Sequence, residues 1–426
     1  MFRLSPSNPL RRPGYRYFLA FAVCSAMGGG FHFVAGYWVL YEHTSSPTSV
    51  AWLILAFWVP SLLVLPVGGV LVDRWNRRQI LAALYGYLTV LNVGLVTLMA
   101  TDVFRPGHLY AYGVLSSFAH ALIWTTLTGY LQQVLSKEEL LHANSLNVAL
   151  FQGGYLLGAG LAGVFYAELG AVGCFSVDAA ACLLATVGWL TIHRWFADRE
   201  TPSEPVRHGS VLTEFFDGLR YIRTDLPLFI FALFMLVPRL AAQVVNVLHV
   251  GFSADVLRAG ARGFGLMDMA YGVGAMACGF FFPVFVERLG LSPWLPWFSL
   301  LVAAGCLYAI SFAGDLAAAM VALAVLGGAT NIVGVLARTL LQREAAGALI
   351  GRVTSTVQIF QYLLIPPIIW TVGKYASRPD GQLVHSDPLR DAFVLAAIMF
   401  CVVSIAGHMA MSRLIRERWR GPMEQE

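Results

Sequence analysis

The sequence has very little charge. Aspartate, glutamate, lysine and arginine make up 12% of its 426 residues, whereas a soluble globular protein carries roughly 25%. Hydrophobic residues make up 58% of the chain, and the mean hydropathy is +0.68. A chain so poor in charge along its whole length is typical of a protein that crosses a membrane many times.

Paired cysteines are also missing. The six cysteines stand singly inside apolar runs, and no two have the CxxC spacing of a zinc or redox site. We therefore expect small buried side chains rather than disulfides. The sequence predicts neither a metal site nor a cofactor.

Signatures of catalysis and nucleotide binding are absent as well. The predicted loops contain no DxD or HExxH pattern, so a polytopic membrane enzyme is disfavoured. There is no GK[ST] phosphate loop, which excludes a P-loop ATPase within this chain, and nothing indicates nucleic-acid binding. The run GAGLAG (158–163) fits GxGxxG formally, but it lies inside an apolar run, and we predict a small-residue packing face.

What the sequence has instead is apolar runs of membrane-spanning length. About 20 apolar residues cross the hydrocarbon core as a helix, and breakers or charge clusters bound each run. We predict an all-α polytopic membrane protein with twelve transmembrane helices, at 16–41, 48–72, 79–101, 108–135, 143–169, 171–194, 227–250, 263–287, 292–313, 316–341, 352–375 and 391–413.

The distribution of positive charge predicts the orientation of these spans. If the N-terminus is cytoplasmic, 20 of the 28 Lys and Arg residues fall at inner ends or loops and six at outer ones. Arg239 and Arg338 fall within spans. Because positive residues favour the cytoplasmic side, we expect both termini inside.

The longest inner connection divides the spans into two sets of six. We predict an N-terminal bundle at 1–194, a cytoplasmic linker at 195–226 and a C-terminal bundle at 227–426. Within the linker, apolar residues at helical spacing over 212–222 predict an amphipathic helix on the inner membrane surface.

Two short repeats link the halves. A shift of 214 residues places VLVDRW on VFVERL, and a shift of 209 places Phe151–Gln152 on Phe360–Gln361. Repeated six-helix halves around a site near the membrane midplane form a transporter architecture.

The stretch GGVLVDRWNRR (68–78) carries a family resemblance. It resembles the signature G-x-x-x-D-R/K-x-G-R/K-R/K between helices 2 and 3 of the major facilitator superfamily, matched here by Gly69, Asp73, Arg74, Arg77 and Arg78. Asn76 stands where the pattern has glycine, and asparagine tolerates a left-handed turn. In that family the signature steadies the outward-open state, so the resemblance implies a gating role for the five matching residues.

Further segments resemble the branch of this family that contains macrolide-efflux and enterobactin-exporter-like proteins. They are LHANSLNVALFQGGYLLGAGLAG, FFDGLRYIRTDLPL, GFGLMDMAYGVGAMACG and GRVTSTVQ. The resemblance implies a monomeric transporter of the bacterial inner membrane that exports a small molecule by proton antiport. A siderophore-like metabolite bearing a carboxylate is the first choice of substrate, a macrolide-like drug the second, and import of an iron chelate or organic anion stays open.

Ionisable residues within spans are candidates for the transport pathway, because each costs about 2.5–3.5 kcal/mol at a helix centre. Arg239 in helix 7 could bind an anionic substrate group or form an internal ion pair, for instance with Asp268 of helix 8. Asp268 could carry a proton or act as a structural partner. Asp178 in helix 6 is expected to be structural.

Two histidines and several uncharged polar residues complete the candidate site. His32 and His120 could titrate near neutrality or form structural hydrogen bonds, and Trp124 could offer flat apolar surface to a substrate. The amides on helices 5, 7 and 11 could line a cavity or join helices, and they are Gln152, Gln243, Asn246, Gln358 and Gln361.

Overall fold

In the computed structural model of the chain, the described residues are 9–196, 220, 234–289, 295–344, 350–379 and 387–420. They are almost entirely helical. The helices are α1 (Pro13–Thr44), α2 (Pro47–Arg74), α3 (Arg77–Ala100), α4 (Pro106–Val134), α5 (Lys137–Thr191), α6 (His193–Phe196), α7 (Val237–Gly251), α8 (Gly260–Leu289), α9 (Leu295–Phe312), α10 (Leu316–Glu344), α11 (Ile350–Ala376) and α12 (Pro388–Arg420), preceded by a 3-10 turn at Pro9–Arg11. A π-helical segment, Phe252–Val256, follows α7.

The long helix α5 contains the fifth and sixth predicted spans. Its backbone leaves the helical conformation at Gly170, where φ is 63° and ψ is −167°. Only glycine adopts this region of φ and ψ readily. The predicted boundary between 143–169 and 171–194 therefore coincides with a kink, and no loop separates the two spans.

Within the described residues, seven helical stretches are both long and apolar enough to cross a membrane. The all-α, multi-span class predicted from the sequence is confirmed, and the number twelve stays a prediction. The predicted linker at 195–226, with its amphipathic helix, lies almost wholly outside the described residues.

The chain divides into two compact units. Unit 1 consists of Met1–Ser45, Trp52–His208 and Phe264–Leu266, and unit 2 consists of Ser46–Ala51, Gly209–Gly263 and Met267–Glu426. In unit 1, α5 packs against both α1 and α3. In unit 2, α9 packs against both α10 and α12.

Glycines bring α1 and α5 into backbone contact. A Cβ at Gly158 would overlap the backbone of Met27, and a Cβ at Gly30 would overlap the backbone of Tyr155 and Ala159. Ala159 and Ala162 are fully buried. The predicted packing face at GAGLAG is thus confirmed, because small residues let two helix backbones approach closely.

Unit 2 uses the same device between α8 and α10. A Cβ at Gly274 would overlap the carbonyl of Ala324, and a Cβ at Gly327 would overlap the carbonyl of Tyr271. Both pairs of helices therefore depend on the absence of side-chain volume at their crossing point.

The cysteines are less uniform than expected. Cys174 and Cys182 are buried, but Cys24 is exposed and the other three are partly exposed. The expectation that all six are buried was wrong, since a membrane-facing helix surface also accepts a small apolar side chain.

A polar network joins Arg12, the residue before α1, to the start of α5. Arg12 Nε donates to Glu139 Oε1 at 2.6 Å, and the Ser136 backbone N–H donates to Glu139 Oε2 at 2.9 Å. Ser136 Oγ in turn accepts from the Glu139 N–H, which completes a capping box. Burial alone would raise the pKa of Glu139, but the bonds from Arg12 and Ser136 outweigh it and hold that pKa below its usual value.

We predict that Gly158→Ala destabilises unit 1. The new methyl group must push the α1 backbone away, and overpacking of this kind costs about 1–3 kcal/mol. Thermal unfolding of the detergent-solubilised protein measures the loss. The matched control is Gly153→Ala on the same helix, where a Cβ meets open space; equal unfolding temperatures for the two variants would contradict the close backbone contact.

We predict that Glu139→Gln lowers stability in a pH-dependent manner. The folded pKa lies below the unfolded one, so the carboxylate stabilises the fold above the ordinary Glu pKa of about 4.3, and this contribution is lost as the pH falls through the folded pKa. At pH 7 the loss should be roughly 0.5–1 kcal/mol.

Thermal unfolding from pH 7 down to pH 3 tests this second prediction. The difference between Glu139→Gln and the parent should shrink as the pH falls. Glu168→Gln, which alters an exposed carboxylate of the same helix, serves as the control. A difference that stays constant across this range would show that the charge on Glu139 is not what stabilises the network.

Candidate functional site

The charged stretch at 68–78 forms the turn between α2 and α3. Gly69, Asp73 and Arg74 lie in α2, and their side chains fall outside the described part of the structure. The place of Asn76 in the motif predicts a left-handed turn conformation. That expectation was wrong, because the φ of Asn76 is −63°. It is the N-cap of α3, and its side chain accepts from the backbone N–H groups of Arg78 and Gln79.

Arg77 and Arg78 bind the backbones of other helices in unit 1. Arg77 Nη1 donates to the Gly129 carbonyl of α4 at 2.9 Å. Arg78 Nη1 donates to the Leu190 carbonyl near the end of α5 at 3.3 Å. Carbonyl groups in the last turns of a helix attract cations, so these two arginines fasten the start of α3 to the ends of its neighbours.

A buried polar cluster lies at the centre of unit 1. We call it the His32–Asp178 cluster and define it as His32, Asn92, Tyr112, Asp178 and Cys182. Asn92 Nδ2 donates to Asp178 Oδ2 at 2.9 Å, and His32 Nδ1 lies 3.2 Å from the same oxygen. The cluster joins α1, α3, α4 and the second half of α5, so Asp178 has the structural partners that its predicted role requires.

The other candidates of unit 1 are more exposed. His120 is exposed, and its Nδ1 lies 2.9 Å from the Ser116 carbonyl; since a carbonyl only accepts, Nδ1 carries the hydrogen. The ring of Trp124 is half exposed and packs edge-on against Phe151, with centroids 5.0 Å apart. Gln152 is exposed on α5.

In unit 2, several candidates lie on α7 and α11, which pack against each other. We call this group the α7–α11 polar seam and define it as Arg239, Gln243, Asn246, Gln358 and Gln361. Asn246 Nδ2 donates to Gln243 Oε1 at 2.8 Å, and Gln361 Nε2 donates across to the Met235 carbonyl at 3.0 Å. Arg239 is exposed in the first turn of α7, within electrostatic reach of Tyr362 on α11.

Asp268 is buried in α8. The ion pairs Arg12–Glu139 and His32–Asp178 join described residues, and a pair between Arg239 and Asp268 stays a prediction. The two side chains lie on different helices, and sequence spacing alone does not show whether two helices bring their charges within contact distance.

Sequence reasoning missed several polar residues. Asn92 is fully buried in α3 and binds Asp178; a lone amide in the apolar run LTVLNVGLV was the available signal. His249 of α7 is also fully buried, and neither ring nitrogen has a hydrogen-bond partner among the described residues.

Two curated relatives resemble parts of this chain. One is the multidrug efflux pump Tap of Mycolicibacterium fortuitum, 27% identical over 210 residues, which are 47% of this chain and 50% of Tap. The other is an uncharacterised MFS-type transporter, YfiS, of Bacillus subtilis (strain 168), 23% identical over 247 residues, or 57% of this chain and 56% of YfiS. The chain thus matches only about half the length of each.

Solved structures resemble the fold over nearly the whole chain. The match to the nucleoside transporter NupG covers 94% of this chain and 99% of the NupG chain, at a TM-score of 0.71 and 14% identity. A bacterial homologue of the iron transporter ferroportin, in an inward-facing state, covers the same shares at a TM-score of 0.67 and 16% identity. Identities this low establish the fold alone.

The family itself is established by a longer match. Residues 18–366 fit the family described as the Major Facilitator Superfamily, which agrees with the signature at 68–78 and with the helical architecture. The chain is therefore a multi-pass membrane protein that belongs to the major facilitator superfamily.

Proposed function

We propose that this transporter exports a small organic molecule bearing a carboxylate, in exchange for protons, across the bacterial inner membrane with both termini in the cytoplasm. A siderophore or a similar secreted metabolite fits this description. The resemblance to the macrolide-efflux and enterobactin-exporter-like branch and the likeness to the efflux pump Tap support the direction.

The observation that carries the proposal is the α7–α11 polar seam. A guanidinium on a helix of a membrane transporter is costly unless it meets water, a partner or a substrate. Arg239 is exposed in α7, one helical turn before Gln243, whose amide oxygen accepts from Asn246. A guanidinium and neighbouring amides are donors suited to a carboxylate.

A second candidate function is efflux of amphipathic drugs. The half-exposed ring of Trp124 against Phe151 supports it, because such a surface suits flat apolar molecules. The likeness to Tap, a multidrug efflux pump, also points this way.

Everted membrane vesicles distinguish the two functions. A pH gradient is imposed, and its collapse is followed after addition of a carboxylate-bearing dye (fluorescein) or a cationic dye (ethidium). The first proposal expects collapse with fluorescein; a response to ethidium alone favours drug efflux, and no response to either contradicts proton-coupled export of both kinds of molecule.

We predict that Arg239→Ala abolishes fluorescein transport and leaves the amount of protein in the membrane unchanged. The substitution removes the charge that the carboxylate would meet, whereas Arg239→Lys keeps it and should retain part of the rate. Arg262→Ala, at an exposed arginine near the start of α8, is the control. Transport at the parental rate in Arg239→Ala vesicles would refute the anion-site role.

The motif arginines generate another prediction, resting on the proposed gating role of the turn. A Cβ at Gly129 would lie 2.9 Å from Arg77 Cζ, so Gly129→Ala must displace the guanidinium from the carbonyl. We expect transport to fall several-fold, to the level of Arg77→Ala. Gly107→Ala in the same helix, where a Cβ meets open space, should transport normally, and a normal rate in Gly129→Ala would exclude this contact from the gate.

A further inference from the structure

The carboxylate of Asp178 is enclosed by three polar side chains. Asn92 Nδ2 donates to Oδ2 at 2.9 Å, and Cys182 Sγ lies 3.7 Å from Oδ1. His32 Nδ1 lies 3.2 Å from Oδ2. Because the amide and thiol groups turn their hydrogens toward the oxygens, they stabilise the ionised carboxylate, and a protonated imidazole beside it would compensate the charge.

Aromatic rings hold the imidazole of His32 against this carboxylate. Tyr112 stacks on the ring with centroids 4.5 Å apart and an interplanar angle of 27°, and Phe175 meets it edge-on at 5.0 Å. Although Nδ1 is close to Asp178, it makes no hydrogen bond of good geometry. A small rotation of the ring therefore makes or breaks the bond to the carboxylate.

The two partners differ in accessibility. The side chain of His32 is 24% exposed, whereas that of Asp178 is 6% exposed. Access to the pair is therefore through the more exposed imidazole. Imidazole is the side chain best suited to proton exchange near neutral pH.

The charge of the cluster changes with a single proton. The other titratable groups within electrostatic reach of Asp178 are Tyr85 of α3, Tyr112 and His120 of α4, and Cys182 of α5. Tyrosine and cysteine side chains are ordinarily neutral at pH 7. The His32–Asp178 pair therefore has no net charge with the proton and one negative charge without it, and an uncompensated buried charge is costly.

Helix packing connects this charge to the position of α1. A Cβ at Gly28 would lie 2.8 Å from Asp178 Oδ1, so α1 passes directly over the carboxylate. Any shift of α1 changes the distance between His32 and Asp178. Conversely, loss of the proton weakens the attraction between the two helices.

We propose that the His32–Asp178 pair is the binding site of the transported proton. The proposal deepens the proposed proton-coupled export and rests on it for the transport cycle. It assigns the proton to unit 1 and to a residue pair on α1 and α5, and it assigns no proton to Asp268. Asn92 and the rings of Tyr112 and Phe175 act as positioning groups.

The site can be tested without knowing the substrate. Purified parent, Asp178→Asn, His32→Gln and Asp268→Asn proteins are titrated from pH 5 to pH 9, and pH-difference infrared spectra record carboxyl and imidazole bands. We expect one pH-dependent component of the parent spectrum to be missing from the spectra of both Asp178→Asn and His32→Gln. Parental spectra in both variants overturn the proposal, as does loss of that component in Asp268→Asn alone.

Transport measurements separate this proposal from the proposed function. In proteoliposomes with the dye that the vesicle assay identifies, Asp178→Asn should lose uptake driven by a pH gradient and keep dye-for-dye exchange, which needs no net proton movement. Retained gradient-driven uptake in Asp178→Asn overturns the proton site. If neither dye moves protons through the parent, proton-coupled export fails, and the infrared titration still decides whether the pair binds a proton. If Asp178→Asn does not fold, both measurements are repeated with His32→Gln.

Discussion

Hydrocarbon offers polar groups no hydrogen-bond partner, so each polar group on a spanning helix has to find one inside the protein. This constraint organises unit 1. Asp178 lies beneath α1 with a donor from α3 and the imidazole of His32 3.2 Å away, and the motif arginines meet helix carbonyls of α4 and α5. Each contact joins two different helices, so satisfying the polar groups also constrains how the helices pack.

The same constraint gives the glycines their importance. Polar contacts between helix backbones and side chains require close approach, and Gly28, Gly30 and Gly158 remove the volume that would prevent it. Dispersion contacts between the backbones then supply the attraction that hydrophobic burial cannot supply between helices already surrounded by lipid. Packing and polar chemistry in α1 therefore depend on one another along a single face of the helix.

The sequence predicted those features that depend on local pattern. Hydropathy indicated the spans, including the boundary at Gly170, and small-residue spacing indicated the packing face at 158–163. Features that depend on which helices are neighbours could not be predicted from it: nothing in the spacing places Asn92 beside Asp178 or decides whether Arg239 pairs with Asp268. Asn76 shows a subtler limit, since asparagine suits both a left-handed turn and an N-cap, and only the backbone decides between them.

The kink at Gly170 has a consequence for the shape that this end of unit 1 presents. Two spans ordinarily meet through a loop that can be cut, labelled or lengthened, but here they meet at a single non-helical residue, Gly170. The segments on either side already contact each other close to that residue, where the Cys174 thiol donates to the Ala162 carbonyl. A label or protease site inserted between the two spans would therefore disturb packed helix, whereas the far end of the second segment is held by Arg78 at the Leu190 carbonyl.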